Sequence, residues 1–450
     1  LALVLVLAAF ARASDAFDFD LSLGDDVLFA QFEWFYDRHY GADEREVRHD
    51  VFVRNLARAR ALNAQRASDE AAVFGVTMFS DRLPDELPAT ALQADAMPVA
   101  GKAAARLPPL PSGNVLPARM SYCGDYALSN TDRPRVDLCG PAVNQQSCGC
   151  CYASALANLG QYHYANKTYS VAFDKNAVKR VAVGFQRFID IPRSVNARCC
   201  GGNSMRALET TMTWSLEKDY PFVDGSGSAA RSCTPRGDQN ANVPVLLRAH
   251  SDYLWYSVDY TSPQQAVLQL KKILHHYGPT IVGIDSQATN LASYRGGIID
   301  ASRVCSATSP NVDHAVLLVG WGVENGVEYW ILQNSWYAGW GESAAASHGY
   351  FRLKTTSLCG IGYVKSGYSS QNFVIGAYTC EAMPGCSRCD RTTKKCLACS
   401  PGYTLTDGEC FSNTPRSFPF ESAESSVEPT PANQSDSASA SVLVLLGLLV

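Results

Sequence analysis

The fold of this chain is decided by one stretch, NQQSCGCCY at residues 144–152. An amide, Gln145, lies six positions ahead of Cys151, and Cys151 begins an apolar, alanine-rich run. A thiol at the start of a helix faces the positive end of the helix dipole, which lowers its pKa and keeps it nucleophilic. A side-chain amide just upstream can stabilise an oxyanion as it develops. The stretch therefore predicts half of a nucleophilic catalytic site, and we expect the other half elsewhere in the chain.

The N-terminal residues indicate secretion. Residues 1–14 are an aliphatic run followed by small residues, which is the pattern of a signal peptide and is too short to span a bilayer. The 16 cysteines are typical of an oxidising compartment, and Asn166 and Asn433 begin N-glycosylation sequons. We therefore expect passage through the secretory pathway to a lysosome-like vacuole or the extracellular space, with anchoring at the cell surface as an alternative.

The bulk composition bounds the remaining classes. With 450 residues and 46% apolar content, the chain predicts two or three units with a real core. The net charge of −5 gives no basis for a nucleic-acid partner. Residues 43–65 have the spacing of an amphipathic helix, and residues 107–113 form a proline-rich linker. Strand-like apolar runs lie at 315–319, 329–332 and 350–353.

Three further motifs complete the pattern that residues 144–152 begin. They are CCGG at residues 199–202, DHA at 313–315 and NSW at 334–336. In this order the four motifs resemble those of papain-type cysteine proteases, over about residues 30–370. The resemblance implies an α+β, two-lobed papain-like fold, in which a helical lobe and a β-barrel-like lobe enclose the active-site cleft.

The resemblance also implies roles for four catalytic side chains. Cys151 is the nucleophile, because its spacing from Gln145 and the aromatic residue after it match the family pattern, although the adjacent Cys150 is a second thiol. His314 pairs with the thiol and later protonates the leaving amine. Asn334 fixes the orientation of the His314 ring. Gln145 and the backbone N–H of Cys151 hold the oxyanion, and we expect no cofactor and no metal.

Substrate-binding residues are implied by their positions in the same motifs. They are Gly201, Gly202, Asn203, Met205, Gly283, Asp313, Ala315, Trp336 and Val364. The glycines would let substrate backbone pair with enzyme backbone. Val364 brings no charge to the pocket for the second residue before the scissile bond, so we expect a hydrophobic side chain there. No element suggests an exopeptidase cap, since His275 and His276 lie in a helical stretch, so we expect a monomeric endopeptidase acting on proteins or peptides.

Residues 27–87 resemble the inhibitory propeptide of cathepsin L-type enzymes. Two motifs carry the likeness: Glu44, Arg48, Phe52, Asn55 and Asn63 form the first, and Gly75, Phe79 and Asp81 form the second. Ala59 and Thr77 depart from the usual residues of these motifs. The resemblance implies that the segment lies through the cleft in reverse and blocks it. Activating cleavage would then fall in the linker near Leu116.

The expected peptidase domain, residues 114–372, holds ten cysteines. The pairs are Cys148–Cys199 and Cys305–Cys359 from the resemblance, Cys200–Cys233 as a substitute for a broken family bridge, and Cys123–Cys139 around an added loop. Cys150 is then left alone beside Cys151. It is either an inert buried thiol or the partner of the nucleophile in a regulatory disulfide.

The C-terminal part holds a second, smaller unit. Residues 380–411 contain six cysteines, whose Cys-x-x-Cys pairs can bind zinc, although behind a signal peptide three disulfides are favoured. Their turns resemble those of EGF-like, growth-factor-receptor-like modules. Residues 412–440 are too polar to fold. The aliphatic tail at 441–450 is a glycolipid-anchor signal, a truncated membrane span or a plain apolar terminus, and the first two would attach the protein to a membrane.

A non-catalytic role is the competing function. A pseudoenzyme or adhesion protein could use the same fold and the cysteine-rich module to bind partners. The presence of all four catalytic side chains argues against this role. Labelling by an epoxide inhibitor of papain-like enzymes, before and after Cys151→Ser, would separate the two functions.

Overall fold

The secondary structure places helices and strands in separate lobes. The computed structural model describes residues 18–87, 105–106, 116–123, 137–172, 178–190, 196–211, 213–237, 242–248, 253–255, 258, 262–306, 310–342, 349–363, 373–375, 386–390, 395–399, 403–406 and 409–412. Within these residues, one lobe contains mainly helices and the other contains a large mixed sheet. This arrangement confirms the predicted α+β, papain-like fold.

Two helices precede the lobes, namely α1 (Asp25–Phe35) and α2 (Ala42–Asn63). The predicted amphipathic helix corresponds to α2 within two residues at either end. Its apolar face packs on α1, where the ring of Phe52 lies 5.2 Å from that of Phe29 and 5.1 Å from that of Phe32. All three rings are fully buried. Burial of one such ring stabilises the folded state by roughly 1.5–3 kcal/mol, so this cluster fixes the helix pair.

Polar side chains of α2 hold the segment that follows, which begins with strand β1 (Val73–Phe74). The bonds run from Arg48 Nη1 to Glu86 Oε2 at 2.5 Å, from Asn55 Nδ2 to the Ser80 carbonyl at 3.0 Å, and from Asn63 Nδ2 to the Phe74 carbonyl at 2.7 Å. Asp81 is buried and accepts a bond from the Tyr40 hydroxyl at 2.6 Å. The two propeptide-like motifs therefore form one unit, in which α2 carries the donors.

The helical lobe is built on one long helix. Its helices are α3 (Cys151–Ala172), α4 (Gln186–Asp190) and α5 (Ser204–Thr211), and its short antiparallel strands are β4 (Val183–Gly184), β5 (Thr213–Leu216) and β6 (Leu247–Arg248). The Trp214 indole N–H donates to the Leu156 carbonyl at 2.8 Å. A Cβ at Gly160 would come within 2.6 Å of this indole, so the glycine lets β5 approach α3 closely.

The second lobe contains the large sheet. Its strands are β2 (Ala105–Arg106), β3 (Met120–Ser121), β7 (Tyr253–Trp255), β8 (Thr280–Ile284), β10 (Ile298–Ile299), β11 (His314–Glu324), β12 (Val327–Gln333), β13 (Tyr350–Lys354) and β14 (Phe373–Ile375). Their order is β10-β13-β12-β11-β8-β14-β7-β2, with β3 also paired to β11. The predicted strand-like runs are confirmed as parts of β11, β12 and β13. The first nine residues of β11 are buried, because α3 and α6 (Pro263–Tyr277) pack on this strand.

Each lobe contains disulfide bonds. In the described part of the chain they join Cys123 to Cys139, Cys148 to Cys199, Cys200 to Cys233, and Cys305 to Cys359. These are the pairs given above from the sequence. Cys150 and Cys151 are buried free thiols.

The C-terminal cysteine-rich unit forms two β-ribbons. They consist of β15 (Cys386–Asp390) with β16 (Lys395–Cys399), and β17 (Tyr403–Thr406) with β18 (Glu409–Ser412). In the first ribbon Cys386 lies opposite Cys399 and Cys389 opposite Cys396. Cys396 and Cys399 are both disulfide-bonded, which favours disulfides over zinc for this unit.

Several predicted features lie outside the described residues. These are the signal peptide at 1–14, the linker at 107–113, Val364, and the polar tract and tail from residue 413 onward. Among the helices of the described residues, none is both long and apolar enough to cross a bilayer.

Candidate active site

The start of α3 sets the position of Cys151. The Cys150 carbonyl accepts the backbone N–H groups of Ala153 at 2.9 Å and Ser154 at 3.0 Å, so the helix begins at this point. The approach to the helix is fixed by the Cys148–Cys199 disulfide and by a 3.0 Å bond from the Gly149 N–H to the Cys199 carbonyl. Cys151 therefore occupies the first residue of a helix that packs on β11, the strand that begins with His314.

The two adjacent thiols face different neighbours. Cys150, the residue before α3, has its Sγ 3.9 Å from the Ser154 hydroxyl in the first turn of that helix, and burial raises the pKa of Cys150 well above the ordinary range. Burial also raises the pKa of Cys151 to about 12, while the backbone N–H of Ala315 faces the sulfur and opposes the rise. Cys151 thus borders the residue next to His314, whereas Cys150 is buried against Ser154 of the first turn of α3, which favours the inert interpretation of Cys150.

The hydrogen bond between His314 and Asn334 fixes the tautomer of the imidazole. His314 Nε2 lies 2.8 Å from Asn334 Oδ1, which also accepts the Ser335 backbone N–H at 2.8 Å. Because a backbone N–H can only donate, Oδ1 is an acceptor, and Nε2 must carry the proton in the neutral ring. Nδ1 is then the bare nitrogen, and it has no hydrogen-bond partner among the described residues. Burial lowers the pKa of His314 to about 4, and the Asn334 bond opposes this shift.

Trp336 covers this hydrogen bond. Its ring centroid lies 5.3 Å from that of His314 and 5.1 Å from that of Trp340. All three side chains are buried. An apolar cover keeps water away from the His314–Asn334 bond and so strengthens it.

Gln145 is oriented by two hydrogen bonds of opposite sense. Its Nε2 donates to the Cys148 carbonyl at 2.9 Å, and its Oε1 accepts the Ser335 hydroxyl at 2.5 Å. Its backbone N–H also donates to the Ser335 carbonyl at 2.9 Å. One hydrogen of Nε2 is left for a ligand, because a primary amide has two. The amide is thus held as a donor beside the start of α3.

The predicted substrate residues of the helical lobe are all buried. Gly201 has a φ of 105°, and a Cβ at Gly202 would come within 2.5 Å of the Asn196 side chain. Asn203 Oδ1 caps α5 by accepting the Arg206 N–H at 3.2 Å. Met205 is buried in the same helix.

Three further predicted substrate residues lie on or beside the strands β8 and β11. Gly283 of β8 is paired with Ala315 of β11. Asp313 accepts the backbone N–H of Ser286 at 2.8 Å and its hydroxyl at 3.1 Å, so its carboxylate holds the turn after β8. Among the described residues, no group of three or more His, Cys, Asp or Glu side chains could bind a metal ion.

Two polar residues of the site were missed from the sequence. Ser335 orients Gln145, and Asn158 of α3 donates from Nδ2 to the Asn334 carbonyl at 3.1 Å. The sequence does contain a signal for Asn158. It is an amide in the stretch from residue 153 to residue 159, which is apolar apart from Asn158 and Ser154. Ser335 lies in the motif at 334–336, in which the resemblance implies roles for Asn334 and Trp336 but none for the residue between them.

The segment after α2 lies on the loop next to this site. Strand β1 pairs with β9 (Tyr294–Gly296), and the hydroxyl of Thr77 donates to the Ala292 carbonyl at 2.5 Å. Gly297 is required here, because a Cβ would come within 2.5 Å of the Ala71 carbonyl. A cavity of about 130 Å³ lies beside this contact and is lined by Met78 and Phe79 of the segment and by Asn144, Gln146, Ser147 and Trp336.

Comparisons with known proteins agree with this geometry. The family model described as papain family cysteine protease matches residues 130–368. The viral cathepsin of Lymantria dispar multicapsid nuclear polyhedrosis virus is 27% identical over 368 residues, 79% of this chain and 87% of its own. The thiol protease aleurain of Arabidopsis thaliana is 27% identical over 342 residues, which cover 74% of this chain and 82% of its own. Among solved structures, digestive procathepsin L2 of Tenebrio molitor larval midgut has a TM-score of 0.58 at 24% identity, covering 75% of this chain and 98% of its own.

Proposed function

The chain belongs to the papain family of cysteine proteases, and we propose that it is an endopeptidase made as a zymogen, with Cys151 as its nucleophile. The observation that carries this assignment is the 2.8 Å bond between His314 Nε2 and Asn334 Oδ1. It leaves Nδ1 as the only ring nitrogen that can take a proton. The thiol of Cys151, beside the neighbouring Ala315 N–H, is the candidate donor of that proton.

The chemistry follows from these roles. Cys151 Sγ transfers its proton to His314 Nδ1 and attacks the peptide carbonyl, forming an S–C bond. The imidazolium then gives its proton to the leaving amine as the C–N bond breaks. Water, deprotonated by the same imidazole, cleaves the acyl-enzyme and restores the thiol. Asn334 keeps the ring in one tautomer and orientation throughout.

Gln145 and the backbone N–H of Cys151 supply the oxyanion donors in this proposal. The Ser335 hydroxyl fixes the Gln145 amide so that Nε2 is its donor end. An amide that is already oriented needs no reorganisation when the carbonyl oxygen becomes negative. Removal of one such donor typically lowers turnover by about 10²–10³-fold.

The segment at 27–87 is assigned as the inhibitory propeptide. Strand pairing of β1 with β9 and the ring contact of Phe79 with Trp336 support this assignment. Cleavage in the linker at 107–116 would release the segment. The signal-peptide pattern at residues 1–14 supports entry into the secretory pathway.

We assign a hydrophobic preference to the pocket for the second substrate residue. Met205, Gly283 and Ala315 are the described residues at that position, and none carries a charge. Val364 would complete the pocket with another apolar side chain. A library of peptide substrates in which arginine is preferred at this position would contradict the assignment.

An epoxide probe of papain-like enzymes tests the catalytic assignment. The full chain is expressed and processed, and the resulting enzyme should be labelled once per molecule and should cleave peptides. Cys151→Ser should abolish both, and Cys150→Ser is the matched control, because it removes the adjacent thiol that packs against Ser154. Labelling that persists in Cys151→Ser and disappears in Cys150→Ser would assign the nucleophile to Cys150. Labelling of neither thiol, with no cleavage, would favour an adhesive role.

A further inference from the structure

Asn158 is a buried amide at the meeting point of three elements. It lies on α3, seven residues after Cys151, and is 1% exposed. Its Nδ2 donates to the Asn334 carbonyl at 3.1 Å. Its Oδ1 accepts the Val143 backbone N–H at 3.3 Å and the Gln161 side-chain amide at 3.3 Å. Both ends of the amide are therefore used by protein groups.

Two of these bonds, to Val143 and Asn334, join the parts that carry the catalytic groups, whereas the bond from Gln161 lies within α3. α3 carries Cys151, the Val143 segment leads directly into Gln145, and Asn334 holds the imidazole. The Asn334 backbone is then held on both sides, since its own N–H donates to the Gly349 carbonyl at 2.8 Å. Fixing both peptide groups of a residue leaves its side chain only rotation about its own bonds.

The polar character of Asn158 is unusual for its surroundings. Its neighbours on α3, Leu156, Ala157 and Leu159, are fully buried apolar residues of the core. An apolar side chain at this position would leave the Val143 N–H and the Asn334 carbonyl buried without their partner. Each group left in this way costs about 1–3 kcal/mol, so the amide is matched to this site.

We propose that Asn158 is a positioning residue for the proposed reaction, which sets the placement of Asn334, and through it the His314 ring, relative to the helix of Cys151. The inference rests on the proposed function. It predicts that loss of the Nδ2–carbonyl bond slows the chemical step and leaves substrate binding unchanged, because the hydrogen bonds of Asn158 to described residues reach Val143, Asn334 and Gln161, none of them a predicted substrate-binding residue.

Three variants of the full chain test this role after processing. Asn158→Leu removes both functions of the amide. Asn158→Asp keeps an acceptor for Val143 but has no donor for the Asn334 carbonyl. Gln161→Leu is the matched control, because it deletes a buried amide of the same helix whose Nε2 bonds Pro141 and Asn158 but not Asn334. Active sites are titrated with the epoxide probe so that kcat refers to folded enzyme.

The expected result is a fall in kcat of about tenfold or more in both Asn158 variants, with KM within about twofold, and a change of less than about twofold in Gln161→Leu. An unchanged kcat in either Asn158 variant overturns the proposal. If Asn158→Leu does not fold, Asn158→Asp decides by the same measure.

A readout without catalysis separates this proposal from the proposed function. In the precursor, the His314 Nε2–H proton should give a hydrogen-bonded imidazole NMR signal, assigned by its loss in Asn334→Ala. Asn158→Leu and Asn158→Asp should shift or broaden this signal, and Gln161→Leu should leave it in place. An unmoved signal in the Asn158 variants overturns the positioning role, whereas a wild-type protein that shows the signal but cleaves no peptide overturns the protease proposal alone.

Discussion

The phenyl ring of Phe79 meets the indole of Trp336 nearly edge to face, with ring centroids 5.0 Å apart and planes at 73°. This contact joins the propeptide-like segment to the side chain that covers the His314–Asn334 hydrogen bond. Such aromatic pairs contribute about 0.5–1.5 kcal/mol beyond their buried area. The propeptide-like segment and His314 therefore share one side chain as a common neighbour.

Phe79→Ala should loosen the precursor. The lost ring contact and the cavity it leaves should expose the cleft more often, so that epoxide labelling of the unprocessed chain becomes at least about tenfold faster at neutral pH. Labelling rates of purified precursor, followed by intact mass, give the comparison. Phe35→Ala is the control, because Phe35 packs against Phe19 and Tyr36 within the segment. Equal rates in the two variants would remove Phe79 from the inhibitory contact.

The Cys151 thiol of the precursor should react slowly at neutral pH. Burial raises the pKa of Cys151 to about 12 and lowers that of His314 to about 4, so both groups are neutral between these values. The thiolate fraction falls as the pH drops below 12, and alkylation by iodoacetamide should therefore become faster from pH 7 to pH 10.

The measurement is best made in a Cys150→Ser background, so that Cys151 is the reporting thiol. Processed enzyme should react faster than precursor at pH 7, because removal of the propeptide returns the pair to water. A precursor that alkylates at neutral pH as fast as the processed enzyme would contradict the covered, neutral pair.

The sequence predicted most of the architecture because its signals are local. The apolar run at 315–319 is strand whatever lies beside it, and the spacing of α2 is helical before α1 packs on it. The motif spacing also singled out Gln145, Cys151, His314 and Asn334. The structure brings His314 and Asn334 into contact and places the Ala315 N–H against Cys151.

The contacts that were missed are long-range. Asn158 meets the Asn334 carbonyl across 176 positions, and Ser335 meets Gln145 across 190, so no local pattern announces either bond. The motif predicts a substrate contact for Asn203 but not its second role, in which Oδ1 accepts the Arg206 N–H in the first turn of α5. Cys150 and Cys151 are adjacent at the start of α3, and packing alone decides which thiol faces Ala315.

Ser335→Ala should lower turnover without weakening substrate binding. The variant removes the 2.5 Å bond that fixes the Oε1 end of Gln145, while the Nε2 bond to the Cys148 carbonyl remains. A bond of this kind contributes about 0.5–1.5 kcal/mol, so kcat should fall by roughly 2–10-fold with KM unchanged. Steady-state kinetics on a peptide substrate check this. A rise in KM at constant kcat would mean that Ser335 acts on binding.

Tyr337→Gly should be more stable than Tyr337→Ala. Tyr337 has a φ of 72°, a left-handed conformation in which its Cβ crowds the following carbonyl at a cost of roughly 1–2 kcal/mol, and its side chain is 55% exposed. Glycine removes this cost but also the Tyr337 ring, which lies where a Cβ at Gly339 would come within 3.3 Å of it. Tyr337→Ala loses the same ring and keeps the strain, so urea unfolding should show the glycine variant to be more stable than the alanine variant by about 1 kcal/mol. Equal stabilities would mean that the backbone relaxes.

The pairing of the propeptide-like segment with the loop at 293–298 uses main-chain atoms almost throughout. The bonds are Gly75 N–H to the Ser293 carbonyl at 2.8 Å, Ala72 N–H to the Ile298 carbonyl at 2.9 Å, and Ile298 N–H to the Glu70 carbonyl at 2.7 Å. These hydrogen bonds involve peptide groups and not side chains. Most amino acids in this stretch can therefore change during evolution while the pairing is retained. Proline at position 72 or 75 would break the pairing, because it has no amide hydrogen to donate to the Ile298 or Ser293 carbonyl.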